Sequence, residues 1–159
     1  RAAGLSPIVV VTGFAAADVR AALAGRDVGF AHNADHASGL ASSLRVGLAA
    51  LPADCAGAVI LLADMPRVAA PLLARLVDAF RARPDAAAVA PVLRGAWGNP
   101  LLLARRVFAE AGALQGDAGA RRILQGRDDV VAVEVEDEAV ALDVDTPEAL
   151  AALRRGQMS

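Results

Sequence analysis

The stretch Ala58-Val59-Ile60-Leu61-Leu62-Ala63-Asp64-Met65-Pro66 places a carboxylate directly after an apolar run. A run without polar alternation is typical of a strand that is covered on both faces, as in a parallel sheet. The proline disfavours its continuation as a helix. We therefore predict a strand over residues 58–63 with Asp64 at its carboxyl end, where open α/β sheets bind their ligands. A divalent metal ion is a natural partner for a carboxylate in such a crevice, although a solvated aspartate in a turn is the alternative.

Strand-like and helix-like patterns alternate along the rest of the chain. Apolar and β-branched runs predict strands over residues 8–12, 28–31, 87–93, 101–103 and 130–136. Helical spacing predicts helices over residues 15–24 and 69–81, a helix capped by Ser42 or Ser43, and a last helix capped by Thr146. Because no linker or internal repeat interrupts the alternation, we predict one α/β domain over residues 1–159.

The bulk composition excludes several classes of function. The 159 residues are 56% hydrophobic, which suits one full core. A net charge of −2 and an aromatic content of 3% argue against nucleic-acid binding, because neither a basic surface nor a stacking platform is evident. The single cysteine, Cys55, excludes an internal disulfide and a thiolate metal site. No apolar run has membrane-spanning length and no signal peptide is visible, so we expect a cytoplasmic protein with no membrane partner.

A loop rich in small residues precedes the helix predicted after Ser42. It reads Asn33-Ala34-Asp35-His36-Ala37-Ser38-Gly39-Leu40-Ala41-Ser42-Ser43. Gly39 permits close approach of the backbone, and the serines lie next to a helix amino terminus. Such a loop suits a phosphate or the edge of a base, and a plain helix cap is the simpler alternative.

Three further polar clusters stand between predicted elements. Asn99 lies in a Gly98-Asn99-Pro100 turn, which would also serve as an ordinary hairpin turn. Residues 116–119, Gly-Asp-Ala-Gly, leave backbone amides open to an anion, and Asp117 also suits a helix cap. Asp143 and Asp145 are two residues apart and so lie on the same side of an extended segment. Either of these two carboxylates would complete a metal site with Asp64.

Taken in order, these segments resemble the molybdenum cofactor cytidylyltransferases, within the nucleotidyltransferases of the molybdopterin-guanine dinucleotide synthase type. The resemblance covers nearly the whole chain. Each motif alone is weak, whereas five in family order are hard to obtain by chance. The matching segments are residues 33–47 with Gly-Leu-x-Ser-Ser-Leu-Arg-x-Gly, 62–66 with Leu-Ala-Asp-Met-Pro, 98–100 with Gly-Asn-Pro, 116–121 with Gly-Asp-x-Gly-Ala-Arg, and 143–148 with Asp-Val-Asp-Thr-Pro-Glu.

The resemblance implies a three-layer, Rossmann-like α/β nucleotidyltransferase fold with a mostly parallel central sheet. It implies that the terminal phosphate of molybdopterin attacks the α-phosphate of CTP, forming a dinucleotide cofactor and releasing pyrophosphate. Asp64 and Asp145 would hold Mg²⁺ and carry catalysis. Residues 39, 42 and 43 would lie near the nucleotide base, and Asn99 with the 116–120 loop would face the pterin. The full substrate-binding set would be Asn33, Gly39, Ser42, Ser43, Asn99, Gly116, Asp117 and Gly119.

Other activities remain compatible with these residues. A guanylyltransferase that makes the related guanine dinucleotide cofactor would share the metal carboxylates, as would a nucleotidyltransferase that acts on another phosphorylated small molecule. A non-catalytic carrier that delivers the molybdenum cofactor to a partner molybdoenzyme is an alternative from a different class. The choice of base depends on a few loop contacts, so the sequence leaves CTP and another nucleoside triphosphate both open.

One departure from the resembled family concerns the first residues. The family opens with a strand and a Leu-Ala-Ala-Gly-x-Ser-x-Arg-Met-Gly loop, followed by a lysine, that wraps the triphosphate. Residues 2–6, Ala-Ala-Gly-Leu-Ser, look like part of that loop, but no strand precedes them and no Arg-Met-Gly follows. All 16 basic residues of the chain are arginine. We therefore expect the domain to be N-terminally truncated, with residues 8–12 corresponding to the family's second strand.

We expect this chain alone to bind CTP weakly and to turn over little, because the triphosphate would lack its loop and lysine. Calorimetric titration of the chain with CTP measures the affinity directly. Tight binding would contradict the expectation.

Overall fold

The computed structural model describes residues 2–156. Within them the strands are β1 Val9–Thr12, β2 Gly29–His32, β3 Gly57–Ile60, β4 Ala88–Leu93, β5 Ala96–Trp97, β6 Leu101–Ala104 and β7 Val130–Glu134. The α-helices are α1 Ala16–Ala22, α2 Leu40–Ala49, α3 Ala70–Ala82, α4 Phe108–Gly112 and α5 Pro147–Arg154. All of the predicted strands and helices are present, with shifted ends. Helix α5 is capped as predicted, because Thr146 Oγ1 accepts from the Ala149 amide at 3.1 Å.

The larger sheet is mixed. Strand β6 lies between β3 and β4 and is antiparallel to both, and β5 is antiparallel to β4. Of the described strands in this sheet, β7 alone makes a parallel pair, with β4. The predicted mostly parallel sheet is therefore wrong. The reason is the short connection between β4 and β6, residues 94–100, since a parallel neighbour needs a crossover of roughly a dozen residues or more.

Strands β1 and β2 form a separate parallel sheet of two strands. Helix α2 links this sheet to the larger one. On one side, a Cβ added to Gly47 would lie 3.0 Å from Val11 Cγ2 in β1. On the other side, Leu44 and Leu48 belong to a buried cluster against which Ile60 of β3 packs. Helix α2 thus sets the position of the small sheet relative to the large one.

Helices cover both faces of the larger sheet. Leu101 and Leu103 of β6 face a core that α2 and α4 share. Leu102, the residue between them, faces the opposite core, which α3 fills with Leu72 and Leu76. The alternation follows from the pleat of a strand, and it gives the three layers predicted from the sequence. None of the described helices has the length and hydrophobicity of a membrane span.

Strand β3 ends at Ile60, earlier than predicted. Ile60 pairs with Leu101, so the next position of the ladder faces Pro100, which has no amide hydrogen to donate. Leu61 accordingly leaves the sheet and is 51% exposed. Asp64 therefore lies in a turn beyond the strand, and not directly at its end.

An ion-pair network fastens the start of β7 to the segments around α4. Asp129 accepts from Arg127 Nε at 2.8 Å and from Arg106 Nη2 at 2.7 Å, and Arg127 also bonds Glu110 at 2.9 Å. The hydrogen bonds from Arg127 and then from Arg106 hold the pKa of the Asp129 carboxyl well below its usual range. Because ion-pair networks of this kind also arise for structural reasons, we assign this one to the fold.

Replacement of Leu76 by alanine should lower the free energy of unfolding by about 2–5 kcal/mol. Leu76 is 0% exposed, so its truncation leaves a cavity under α3. Leu61→Ala is the matched control, because it removes the same atoms from a side chain that is 51% exposed. We expect the control to change stability by no more than about 0.5 kcal/mol. Chemical denaturation measures both, and equal losses would contradict the packing described.

Candidate active site

Asp64 and the segment that carries Asp145 lie side by side. The Val144 amide donates to the Asp64 carbonyl oxygen at 2.8 Å, which ties the turn after β3 to the residue next to Asp145. Both segments border a cavity of about 350 Å³. Its lining residues are Ala63, Pro66, Val144, Asp145, Thr146 and Leu150. The structure thus brings together the two parts of the chain that the sequence predicts to share a cation.

The Asp64 carboxylate has an unsatisfied oxygen. Its Oδ1 atom is buried, and no described residue donates a hydrogen bond to it. Such an oxygen is costly unless a cation or a water molecule meets it. The position therefore fits a divalent cation, for which carboxylate oxygens are suitable ligands. Within residues 2–156 no group of three or more acidic, histidine or cysteine side chains suits a metal, so the other ligands of such an ion would be substrate oxygens or water.

Asp143 and Asp145 differ in their relation to this cavity. Both side chains are exposed. Asp145 borders the cavity, whereas Asp143 is not among its lining residues. Of the two carboxylates that the sequence left open, Asp145 is the better placed to join Asp64.

Asn99 is fixed to the segment that leads to Asp145. Its amide donates to the Val140 carbonyl oxygen at 2.9 Å, and the neighbouring Gly98 amide donates to the Pro91 carbonyl oxygen at 2.8 Å. A Cβ added to Gly98 would lie 2.9 Å from the Val140 side chain, so a larger residue would force the two segments apart. The turn before β6 is therefore part of the support for the C-terminal segment.

The two loops that the sequence assigns to the base and to the pterin touch each other. Gly39 has a φ of 105°, and a Cβ there would overlap the Gly116 carbonyl group. The Ala41 amide donates to that same carbonyl oxygen at 3.0 Å. A Cβ added to Gly119 would lie 3.0 Å from Leu40 Cδ2. Glycine at these positions permits the contact, so the two loops form one continuous surface.

Two helix caps predicted from the sequence are wrong. Helix α2 begins at Leu40 after Gly39, so Ser42 and Ser43 lie inside its first turn. The Ser42 hydroxyl instead lies 2.8 Å from the Gly39 carbonyl oxygen. The residues after Gly119 form a 3₁₀ helix, Ala120–Leu124, which has no side-chain cap. Asp117 does not cap it, because its carboxylate lies against Gly39.

Asn33 holds the first of these loops in place. It is 2% exposed, and its Nδ2 donates to Ser42 Oγ at 2.8 Å and to Ser43 Oγ at 3.0 Å. Its Oδ1 accepts from the Asp35 amide at 3.0 Å. Because both polar groups of the side chain are engaged within the protein, Asn33 would affect a ligand through the shape of the loop.

A second cavity, of about 320 Å³, opens beside the contact between the loops. Its lining residues are Asp35, Ser38, Ala41, Ser42, Arg45, Gln115 and Gly116. The sequence did not single out Asp35, Arg45 or Gln115. The spacing of Ser42 and Arg45, three residues apart on one helix face, was an available signal for Arg45. Gln115 carried no such signal, since it comes from a distant loop.

Solved structures similar to the chain include Rv0371c from Mycobacterium tuberculosis H37Rv, at 34% identity and a TM-score of 0.78, with 99% of this chain and 79% of that chain covered. A complex of Rv0371c with manganese matches at 33% identity and a TM-score of 0.76, with 96% and 79% covered. Molybdopterin-guanine dinucleotide biosynthesis protein A from Archaeoglobus fulgidus shares the fold at 18% identity and a TM-score of 0.59, with 92% and 76% covered.

No functionally curated protein matches the chain. A model of the MobA-like NTP transferase domain matches residues 1–135, which is most of the sequence. The chain therefore belongs to the MobA-like NTP transferase domain family, and it is a nucleotidyltransferase that uses a nucleoside triphosphate.

Proposed function

We propose that this protein transfers CMP from CTP to the phosphate of a molybdopterin-type substrate and releases pyrophosphate, with Mg²⁺ held by Asp64 and Asp145. The observation that carries the proposal is the buried Asp64 Oδ1 atom, which has no hydrogen-bond donor among the described residues. The Val144–Asp64 backbone bond keeps that oxygen near Asp145 and near the 350 Å³ cavity.

A divalent cation at this place would neutralise charge on the phosphate oxygens of the nucleotide. Two carboxylates supply part of its oxygen shell and leave positions for the substrate, which is how Mg²⁺ is commonly bound in phosphate-transfer sites. The manganese in the Rv0371c structure supports a divalent ion, because that protein is 33% identical to this chain.

The other residues would position the reactants. An acceptor phosphate is already a nucleophile, so the protein needs no side-chain base and contributes mainly orientation and charge neutralisation. The joined loops of Gly39 and Gly116 would hold the nucleotide base and the pterin next to each other. Asn33, Ser42 and Ser43 would keep the first loop rigid, and Asn99 would support the segment that carries Asp145.

The acceptor class rests on the ordered motifs and on the fold shared with the Archaeoglobus fulgidus protein, whose name includes molybdopterin-guanine dinucleotide biosynthesis. That name also supports a second candidate, the transfer of GMP from GTP to the same kind of acceptor. The family motifs at residues 39–45, Gly-Leu-Ala-Ser-Ser-Leu-Arg, favour the cytidylyltransferase.

We also propose that the active protein contains a further strand and a glycine-rich triphosphate loop preceding residue 1. The resembled family places a lysine shortly after that loop, and the present sequence has arginine as its sole basic residue type apart from histidine. Assays of turnover therefore belong to the full-length protein.

Asp64→Asn and Asp145→Asn should each weaken Mn²⁺ binding about tenfold or more, because each removes a charged ligand of the proposed ion. Electron paramagnetic resonance of free Mn²⁺ during titration measures the affinity. Asp78→Asn, on the exposed face of α3, is the control and should bind like the wild type. Normal binding by Asp64→Asn would contradict the proposal. Weak binding by Asp143→Asn with normal binding by Asp145→Asn would move the second ligand to Asp143.

In the full-length protein, CTP with molybdopterin should give pyrophosphate and a cytosine dinucleotide, whereas GTP should react at least about tenfold more slowly. Chromatography of the products identifies the nucleotide that is transferred. Asp64→Ala should reduce pyrophosphate release about 100-fold or more, since a bound cation stabilises the transition state by several kcal/mol. Faster reaction with GTP would favour the guanylyltransferase.

A further inference from the structure

The 320 Å³ cavity beside the joined loops presents opposite charges that do not neutralise each other. Asp35 lines it from the loop after β2, and Arg45 lines it from helix α2. Among the described ion pairs, none joins these two side chains, and Arg45 makes no hydrogen bond to a described residue. A carboxylate and a guanidinium that face one cavity without pairing are both available to a ligand.

Asp35 is held ready to accept hydrogen bonds. Ser38 Oγ donates to Asp35 Oδ2 at 2.8 Å, and the Asp35 amide donates to the buried Asn33 side chain at 3.0 Å. The Ser42 hydroxyl also lies 3.0 Å from the Asp35 carbonyl oxygen. An ionised carboxylate has about four acceptor positions. Since Ser38 uses one, Oδ1 and the remaining lone pair of Oδ2 can accept donors from a ligand.

Arg45 and Gln115 supply the complementary groups. Arg45 carries several N–H donors in a planar arrangement, and Gln115 can both donate and accept. The Gln115 side chain makes no hydrogen bond to another described residue, and it borders the same cavity from the loop that contains Gly116. Three polar side chains from three separate segments thus converge on one space.

We propose that this cavity binds the amino-oxo edge of a planar heterocycle, a chemistry that cytosine, guanine and pterin rings share. Amino and ring N–H groups would donate to Asp35, and the ring carbonyl oxygen or an unprotonated ring nitrogen would accept from Arg45. The cavity is at the lower end of the roughly 300–1,000 Å³ typical of small-molecule sites, so it suits a ring rather than a whole dinucleotide.

This inference rests on the proposed function for the identity of the rings, but not on the metal site. A pocket that hydrogen-bonds an amino group rejects the analogue without it, because the protein group is then left unpaired. Asp35 would therefore select cytosine over uracil, guanine over hypoxanthine, and pterin over lumazine. Asp35 and Arg45 would be specificity-determining residues of the site.

The test uses cytidine, guanosine and pterin themselves, which carry no phosphate and need no metal ion. Calorimetry measures binding of the nucleosides, and fluorescence quenching measures binding of pterin. We expect at least one of the three to bind, and we expect Asp35→Asn and Arg45→Gln each to weaken that binding about tenfold. Arg26→Gln, which changes an exposed arginine outside the cavity, should bind like the wild type. Asp35→Asn still offers an acceptor to Ser38, and thermal melting checks that each variant is folded.

The pattern of binding identifies the source of the ring. Preference for pterin over lumazine would assign the cavity to the acceptor, and preference for cytidine over uridine or guanosine over inosine would assign it to the nucleotide. The proposal is overturned if none of the three rings binds at millimolar concentration, or if both cavity variants bind as well as Arg26→Gln. Either result leaves Mn²⁺ binding by Asp64 unaffected, so failure of this inference is separable from failure of the proposed function.

Discussion

The hydrogen bond from the Val144 amide to the Asp64 carbonyl oxygen, 2.8 Å long, is the contact on which the metal-binding half of the site depends. It joins a turn in the middle of the chain to a segment near its end. The bond from Asn99 to the Val140 carbonyl oxygen fixes the same C-terminal segment at a second point. Backbone hydrogen bonds hold both points, so the carboxylates of Asp64 and Asp145 are not used for support and remain available to a cation.

The mixed sheet explains why Asp64 is in a turn at all. Strand β6 enters between β3 and β4, and its ladder with β3 stops where Pro100 follows in the register. A proline has no amide hydrogen, so the segment after Ile60 cannot continue the pairing and leaves the sheet. That departure carries Asp64 toward the Val144 segment. The same residue that ends a strand thus contributes to the geometry of the candidate site.

The substrate loops use small residues for a different reason. The contact between Gly39 and Gly116 brings two backbones closer than any side chain would permit, and the buried Asn33 side chain spends its hydrogen bonds on Ser42 and Ser43. A site built in this way is organised before a ligand arrives, which reduces the entropy lost on binding. It also leaves Asp35 and Arg45 unpaired at the edge of one cavity.

The sequence by itself determined the elements whose patterns are local. The spacing of Leu72 and Leu76 predicted helix α3, the β-branched run at residues 130–134 predicted β7, and Thr146 predicted the start of α5, because periodicity and capping act within a few residues. Only the tertiary structure decided the direction of β6, the early end of β3 and the true start of α2. It alone placed Gly116 on Gly39, Gln115 beside Arg45, and Val144 on Asp64. These features depend on which distant segments become neighbours, and no local pattern of residues contains that information.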